Sequence, residues 1–302
     1  MRLVGAAAML AAGLLLAGCS GHKTKPSHRD SPSRTSSSGS TTTSGDDRFN
    51  DDLSKPQHSR YRDGSDSVPP PLDVSKLVEP VPKVEPRSRY GNKSPYTVLG
   101  RTYRVLPSAR GYKQRGIASF YGNKFHGYKT SSLETYDMYA FSAASTTLPL
   151  PSYARVTNLE SGKSVIVRVN DRGPFHENRV IDLSYAAAVK IGVYPKGTGL
   201  VEVQGIDPSG PDKELPPIPV VTGSHPGIYL QAGAFTDAGN ADRLAQRLRQ
   251  ASLGAVQVSD AVINGKRVRR VRVGPLDSVD RADQVSDRIE GMGLPRPQVA
   301  VD

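Results

Sequence analysis

Cys19 is the only cysteine among 302 residues. Without a second thiol no disulfide can staple a small fold, so every ordered part of this chain must rest on its own apolar core. The length allows about two compact domains of ordinary size. From Ser20 to about Pro95 the residues are mostly Ser, Thr, Gly, Pro, Asp, Lys and Arg, with residues 36–44 Ser, Thr and Gly only and six prolines between Val68 and Pro86. Such a segment cannot bury enough surface to offset its ordering entropy. The expectation is a disordered stalk, assigned to residues 19–100, with a mean reach on the order of 50 Å.

Before the stalk, Arg2 precedes a charge-free apolar run from Leu3 to Leu16. That run is shorter than the roughly 20 residues that span a bilayer and has the flanks of a secretory signal, residues 1–18. Its end, Leu16-Ala17-Gly18-Cys19, resembles the bacterial lipobox. The resemblance implies cleavage before Cys19 and fatty acylation of its thiol and freed amine. Three acyl chains at about 0.8 kcal/mol per buried methylene make a lasting anchor. Ser20 stands where inner-membrane retention signals usually carry Asp, so the resemblance implies a lipoprotein of the outer membrane facing the periplasm.

The net charge of +11 favours acidic partners. Charge alone would also suit nucleic acid, but export argues against it and leaves lipopolysaccharide and the cell wall as the abundant polyanions. Trp is absent, so the 13 Tyr and 6 Phe must supply any stacking surface for sugars.

Residues 103–206 read as short strands separated by Gly and Pro turns: Gly116–Tyr121, Tyr153–Asn158, Ser164–Asn170 and Leu200–Gln204. In Ser164–Asn170, Val165, Val167 and Val169 share one face and Ile166 and Arg168 the other. Tyr185–Ile191 reads as a helix capped by Ser184 and ended by Gly192. A mostly β unit of this size closes most economically into a barrel. After a linker, residues 207–223, the unit 224–302 has the order β-α-β-β-α-β of a ferredoxin-like α+β fold, with Asn264-Gly265 as its hairpin turn.

Glu134, in a polar loop, and Asp171, at the exit of the Val165–Asn170 strand, are the candidate acid/base pair. Both are expected on exposed loop positions, where a turn-forming or solvated carboxylate is the plainer alternative. Asp182 reads as a cap or turn residue before the helix. His126 and His176 lack ligand-spaced partners, so no metal and no cofactor is expected.

Gly116-x-Ala118-Ser119-Phe120-Tyr121-Gly122-x-x-Phe125-His126-Gly127, Glu134-x-Tyr136-Asp137-Met138, the run Thr147–Asn158, Val167–Phe175 and Ile181-Asp182-Leu183-Ser184 together resemble the rare lipoprotein A family. The resemblance implies a double-psi β-barrel that acts as a peptidoglycan lytic transglycosylase. Such enzymes break the bond between N-acetylmuramic acid and N-acetylglucosamine without water; the muramic 6-hydroxyl attacks its own anomeric carbon and leaves a 1,6-anhydro end. The family's acidic pair falls on Glu134 and Asp171, and a family histidine falls on Ser145. Where the family commonly reads Ala-Asn-Gly, this chain has Ser131-Ser132-Leu133. These departures keep a second class open, a septal glycan-binding lipoprotein that does not cut.

Gln231-Ala232-Gly233-Ala234-Phe235 and Arg272-Val273-Gly274-Pro275 resemble the SPOR domain. That implies binding to glycan strands stripped of stem peptides, which collect at division septa beside the division proteins. Gln231, Phe235, Arg270 and Arg272 are the glycan-binding candidates, on a basic strand that also carries Arg267 and Arg269.

Overall fold

The computed structural model describes residues 61, 67, 69, 71–176, 178–210, 227–263 and 265–301. Cys19 and the signal segment lie outside the described residues.

Six strands close into a barrel: β3 (Lys113–Tyr121), β4 (Ser142–Ala144), β5 (Ser152–Asn158), β6 (Ser164–Asp171), β7 (Arg179–Ser184) and β8 (Thr198–Ile206), following a short hairpin of β1 (Tyr96–Val98) and β2 (Arg101–Tyr103). The order around the barrel is β3-β7-β4-β6-β5-β8. Two pairs, β3–β7 and β4–β6, run parallel and interlock the double-psi arrangement. The alternation read in β6 has its physical reason here. Val165, Val167 and Val169 are fully enclosed in the barrel core with Ala154, Val156, Leu183 and Val201. Helix α1 (Tyr185–Ile191) begins at Ser184, whose hydroxyl accepts from the Ala187 N–H, and ends at Gly192 with φ +76°.

The tail forms β9 (Ile228–Phe235), α2 (Ala238–Gln250), β10 (Val256–Ile263), β11 (Lys266–Leu276), α3 (Val279–Gly291) and β12 (Gln298–Val301). Its sheet order, β10-β11-β9-β12, with every pair antiparallel, is the ferredoxin-like one. Leu230, Val271 and Val273 of the sheet pack on Leu244, Leu248, Val285 and Ile289 of the two helices. The hairpin reads as expected, with Ile263 paired to Lys266 across Gly265, whose φ is +76°.

Residues 71–100 require a correction. Composition assigns them to the stalk, yet they form a strap along the barrel: Leu72, Val74 and Leu77 pack on its core, and the later residues are held by polar and backbone contacts, which carry no periodic signature. The Ser88 N–H donates to the Leu150 carbonyl at 2.9 Å. Asn92 donates from Nδ2 to the same carbonyl at 2.6 Å and accepts the Leu150 N–H at 2.9 Å. Arg172 extends its guanidinium into the strap, giving 2.6 Å to the Gly91 carbonyl and 3.2 Å to Asn92 Oδ1. The Tyr96 hydroxyl donates to the Thr146 carbonyl at 2.8 Å.

Asn92→Ala leaves the buried Leu150 N–H without its acceptor and removes a partner from Arg172. An unsatisfied buried polar group costs about 1–3 kcal/mol. The expected outcome is a loss of that size in denaturant unfolding together with faster proteolysis between residues 88 and 100. Unchanged stability and cleavage would mean that the strap is not pinned at this point.

Candidate active site and glycan-binding face

The end of β6 organises the barrel site. Asp171 is its last residue and is only 8% exposed. That corrects the expectation of an exposed loop position. Its Oδ1 accepts from the Ser131 N–H at 2.8 Å, the Ser131 hydroxyl at 2.6 Å and the Arg172 N–H at 2.7 Å. Burial pushes its carboxyl above the ordinary 3.8, and these donors only partly offset that.

Glu134 sits on the same turn, with a half-buried side chain. Arg168 reaches it with Nη1 to Oε2 at 2.5 Å and Nη2 to Oε1 at 3.0 Å, and Asn170 Nδ2 donates to Oε2 at 2.9 Å. Burial alone would raise this carboxyl, but the hydrogen bonds from Arg168 and Asn170 outweigh it and hold the group below the ordinary 4.5. Arg168 is shared. Its Nε and Nη2 each stand 2.9 Å from Glu85 of the strap, and Glu85 also accepts from the Tyr153 hydroxyl. Sequence reading did not find Glu85, because nothing in a Pro-rich segment signals that one of its carboxylates is delivered to the barrel.

The two candidate carboxylates are thus brought to one turn, Thr130–Glu134, fastened at Ser131 by Asp171 and at Glu134 by Arg168. Leu133 within it has φ +66°. Left-handed backbone favours glycine, and a branched side chain there carries strain. That accounts for the glycine in the pattern the family commonly shows.

Ser145 follows β4 directly. Its N–H donates to the Asp171 carbonyl at 3.0 Å. Its hydroxyl accepts from the Thr147 and Leu148 N–H groups at 3.3 and 3.1 Å and caps its own turn. At 1% exposure the side chain is enclosed.

Beside Asp171 lies a cleft of about 330 Å³, lined by Val98 and Leu99 of the hairpin, the rings of Tyr121, Phe125 and Phe175, and Asp182. Glu134 is not among the lining residues. Asp182 is not a turn residue: it lies within β7, paired with Ser119 of β3 and Ala144 of β4. Among the described residues no three His, Cys, Asp or Glu side chains stand together in a way that could hold a metal ion.

In the tail, alternation divides the basic strand. Arg270 and Arg272 of β11 face away from the helices, whereas Arg269 lies on the helix side, 3.2 Å from Asp242 of α2. Strand register sets Gln257 opposite Arg272, Arg272 opposite Gln231, and Gln231 opposite Gln298. One row of amide and guanidinium groups therefore crosses all four strands. Gln257 and Gln298 were not found from sequence, since only register aligns them. The structure does not bring Phe235 to this row. A register shift between Val271 and Arg272 turns the end of β9, and Phe235 packs against the helix-side core.

Comparison with known proteins agrees with both domains. Residues 113–204 match the family DPBB_1, lytic transglycolase, and residues 224–299 match the SPOR domain. A Pseudomonas aeruginosa protein named endolytic peptidoglycan transglycosylase RlpA is 39% identical, with 75% of this chain and 81% of the relative covered. A Vibrio cholerae protein of the same name is 40% identical, covering 78% of this chain and 86% of the relative. The chain belongs to the RlpA family. The crystal structure of the RlpA SPOR domain from Pseudomonas aeruginosa is 34% identical over 24% of this chain and 97% of that one, with a TM-score of 0.24.

The buried Asp171 gives this RlpA member a pH signature. A carboxyl whose folded pKa is raised contributes stability that is complete below its unfolded value near 3.8 and is lost as pH rises through the folded value. Asp171→Asn keeps an Oδ1 acceptor but cannot ionise. The variant should therefore gain on the wild type as pH rises from 3.8 through the raised value, measured as the difference in unfolding free energy. A difference that stays flat or narrows in that window would show that the carboxyl is not destabilised by burial.

Proposed function

We propose that this RlpA protein is a lytic transglycosylase that cuts N-acetylmuramic acid–N-acetylglucosamine bonds in glycan strands lacking stem peptides. In this reading it is tethered to the outer membrane by acyl chains on Cys19 and gathered at the septum by its SPOR domain. The observation that carries the reading is the cleft at the end of β6, where an enclosed carboxylate faces aromatic rings in a barrel whose relatives are named endolytic peptidoglycan transglycosylases. Tyr121, Phe125 and Phe175 offer faces and edges to sugar rings. Asp171, with three donors gathered on one oxygen, is suited to carry negative charge beside the positive charge that develops at the anomeric carbon. Glu134, kept ionised by Arg168 and Asn170, adds to the same field.

One observation favours the second reading, a glycan-binding lipoprotein that does not cut. The family's histidine position is Ser145, whose hydroxyl is spent on its own turn and cannot carry charge near neutral pH.

Digestion of stem-peptide-free glycan by the purified mature protein, with products weighed by mass spectrometry, separates these readings. Anhydro ends that fall by at least about 10²-fold in Asp171→Asn are expected, the usual scale for losing one group that stabilises transition-state charge. Reducing ends would make the protein a hydrolase, and no products a binding module.

For the tail, Arg272→Ala and Gln231→Ala in the full mature chain should weaken capture of denuded glycan and midcell localisation. Equal capture of intact and denuded wall by the parent protein would remove the stem-peptide preference. For the anchor, Cys19→Ala should no longer fractionate with outer membrane.

A further inference from the structure

A lytic transglycosylase needs a group that is protonated when the glycosidic bond breaks. Neither carboxylate singled out by sequence suits that task. Glu134 has both oxygens committed to Arg168 and Asn170, lies outside the cleft, and is held ionised. Asp171 collects three donors on one oxygen, an arrangement that favours its charged form.

The cleft contains another carboxylate. Asp182 enters it from the middle of β7, on the wall formed with Ala144 of β4 and Ser119 of β3. Its Oδ1 accepts from the Ser119 hydroxyl, which in turn accepts from Arg179 Nη1 at 2.9 Å. Its Oδ2 has no hydrogen-bond partner among the described residues. That oxygen lies toward the turn after β6: a Cβ built on Gly173 would stand 3.5 Å from Oδ2. Asp182 also keeps partial exposure where Asp171 is buried, which a group opening onto a cleft requires.

We infer that Asp182 is the proton-transferring catalytic residue of this barrel, donating from Oδ2 to the leaving glycosidic oxygen and then accepting the proton of the muramic 6-hydroxyl. The inference rests on the lytic reading above. The step balances without water. The bond from the anomeric carbon to O4 of the next sugar breaks, and O4 takes the Asp182 proton. The muramic O6 then bonds to the anomeric carbon, and its proton returns to Asp182. The carboxylate that exists between these events is stabilised through Ser119 by Arg179.

The division of labour follows from hydrogen-bond count. Two carboxylates lining one cleft hold one proton more readily than none, and the charge settles on the partner that collects more hydrogen-bond donors. Three donors reach Asp171 and one reaches Asp182, so Asp171 keeps the charge and Asp182 the proton. Burial raises the Asp182 carboxyl above the ordinary 3.8, with the Ser119 hydrogen bond working the other way.

The test compares wild type, Asp182→Asn, Glu134→Gln and Ser119→Ala on stem-peptide-free glycan, with anhydro ends counted by mass spectrometry and folding followed by thermal melts. Asp182→Asn keeps an acceptor for Ser119 and should fold; its kcat is expected to fall by at least about 10²-fold, with KM changed by less than about threefold. Ser119→Ala removes an interaction that favours the carboxylate, so the alkaline limb of the kcat profile should move to higher pH. Glu134→Gln should leave that limb in place. If wild type releases anhydro ends and Asp182→Asn stays within about threefold of it, the proposal is overturned while the lytic reading stands. If Asp182→Asn is slow and Ser119→Ala moves no limb, proton transfer by Asp182 is likewise rejected. Absence of anhydro ends from the wild type would overturn the lytic reading and this proposal with it.

Discussion

Two arginines on one strand and its following turn hold the site together. Arg168 projects from β6 on the face opposite three enclosed valines, and there it joins Glu85 of the strap to Glu134 of the 130–134 turn. Arg172, one residue beyond β6, spends its fork on the carbonyls of Gly91, Ser145 and Leu148 and on Asn92. A guanidinium can satisfy such scattered acceptors because its five donors are fixed in a plane. Desolvation pushes Arg172 down to about 10, still well above the working pH, so its charge stays in place. The register of β6 therefore decides more than packing. A slip by one residue would send Arg168 into the core and the valines to the strap, undoing barrel, strap and site together.

This shared dependence gives the carboxylates of the barrel distinct characters. Glu134 and Glu85 divide one guanidinium and are held ionised. Asp171 is enclosed, Asp182 opens partly onto the cleft, and burial raises both. Carboxylates of one chemical type thus differ in how firmly each holds its charge, and the difference lies in donors and solvent rather than in residue type. The strap contributes directly, since Glu85 competes for Arg168 and the hairpin residues Val98 and Leu99 form part of the cleft wall. In the tail the same economy of register operates. Alternation keeps Arg270 and Arg272 on one face of the sheet, and cross-strand pairing extends Arg272 into a row with three glutamines.

Legibility in the sequence followed the strength of local pattern. The alternating Val165–Val169, the capped Tyr185–Ile191 and the β-α-β-β-α-β tail could be read because each carries a period or a punctuating residue. Strand β4, three residues of Ser and Ala, carries neither and exists through its neighbours β6 and β7. The strap was assigned to the stalk because prolines and polar residues fit both a disordered tether and an irregular chain pinned by carbonyls. Asp182 reads as a cap or turn residue because Ile181-Asp182-Leu183-Ser184 is too short to declare a strand, so the side chain's direction could not be inferred. Phe235 is grouped in the sequence with Gln231, Arg270 and Arg272 because a bulge that reverses the end of β9 leaves no trace in spacing. Glu134 and Asp171 stand out as carboxylates in a polar loop and at a strand end, and family resemblance adds Ser145; burial and partners, which set their chemistry, came only from the fold.

The central claim is that glycan occupies the cleft at the end of β6. Amide chemical-shift mapping of the mature protein, titrated with a stem-peptide-free glycan fragment, tests it most directly. Saturating shifts are expected at Tyr121, Ala144, Asp171, Arg172 and Phe175, alongside those on β9 and β11 of the tail. Shifts confined to residues 228–301, with the barrel amides unmoved at saturation, would contradict the account.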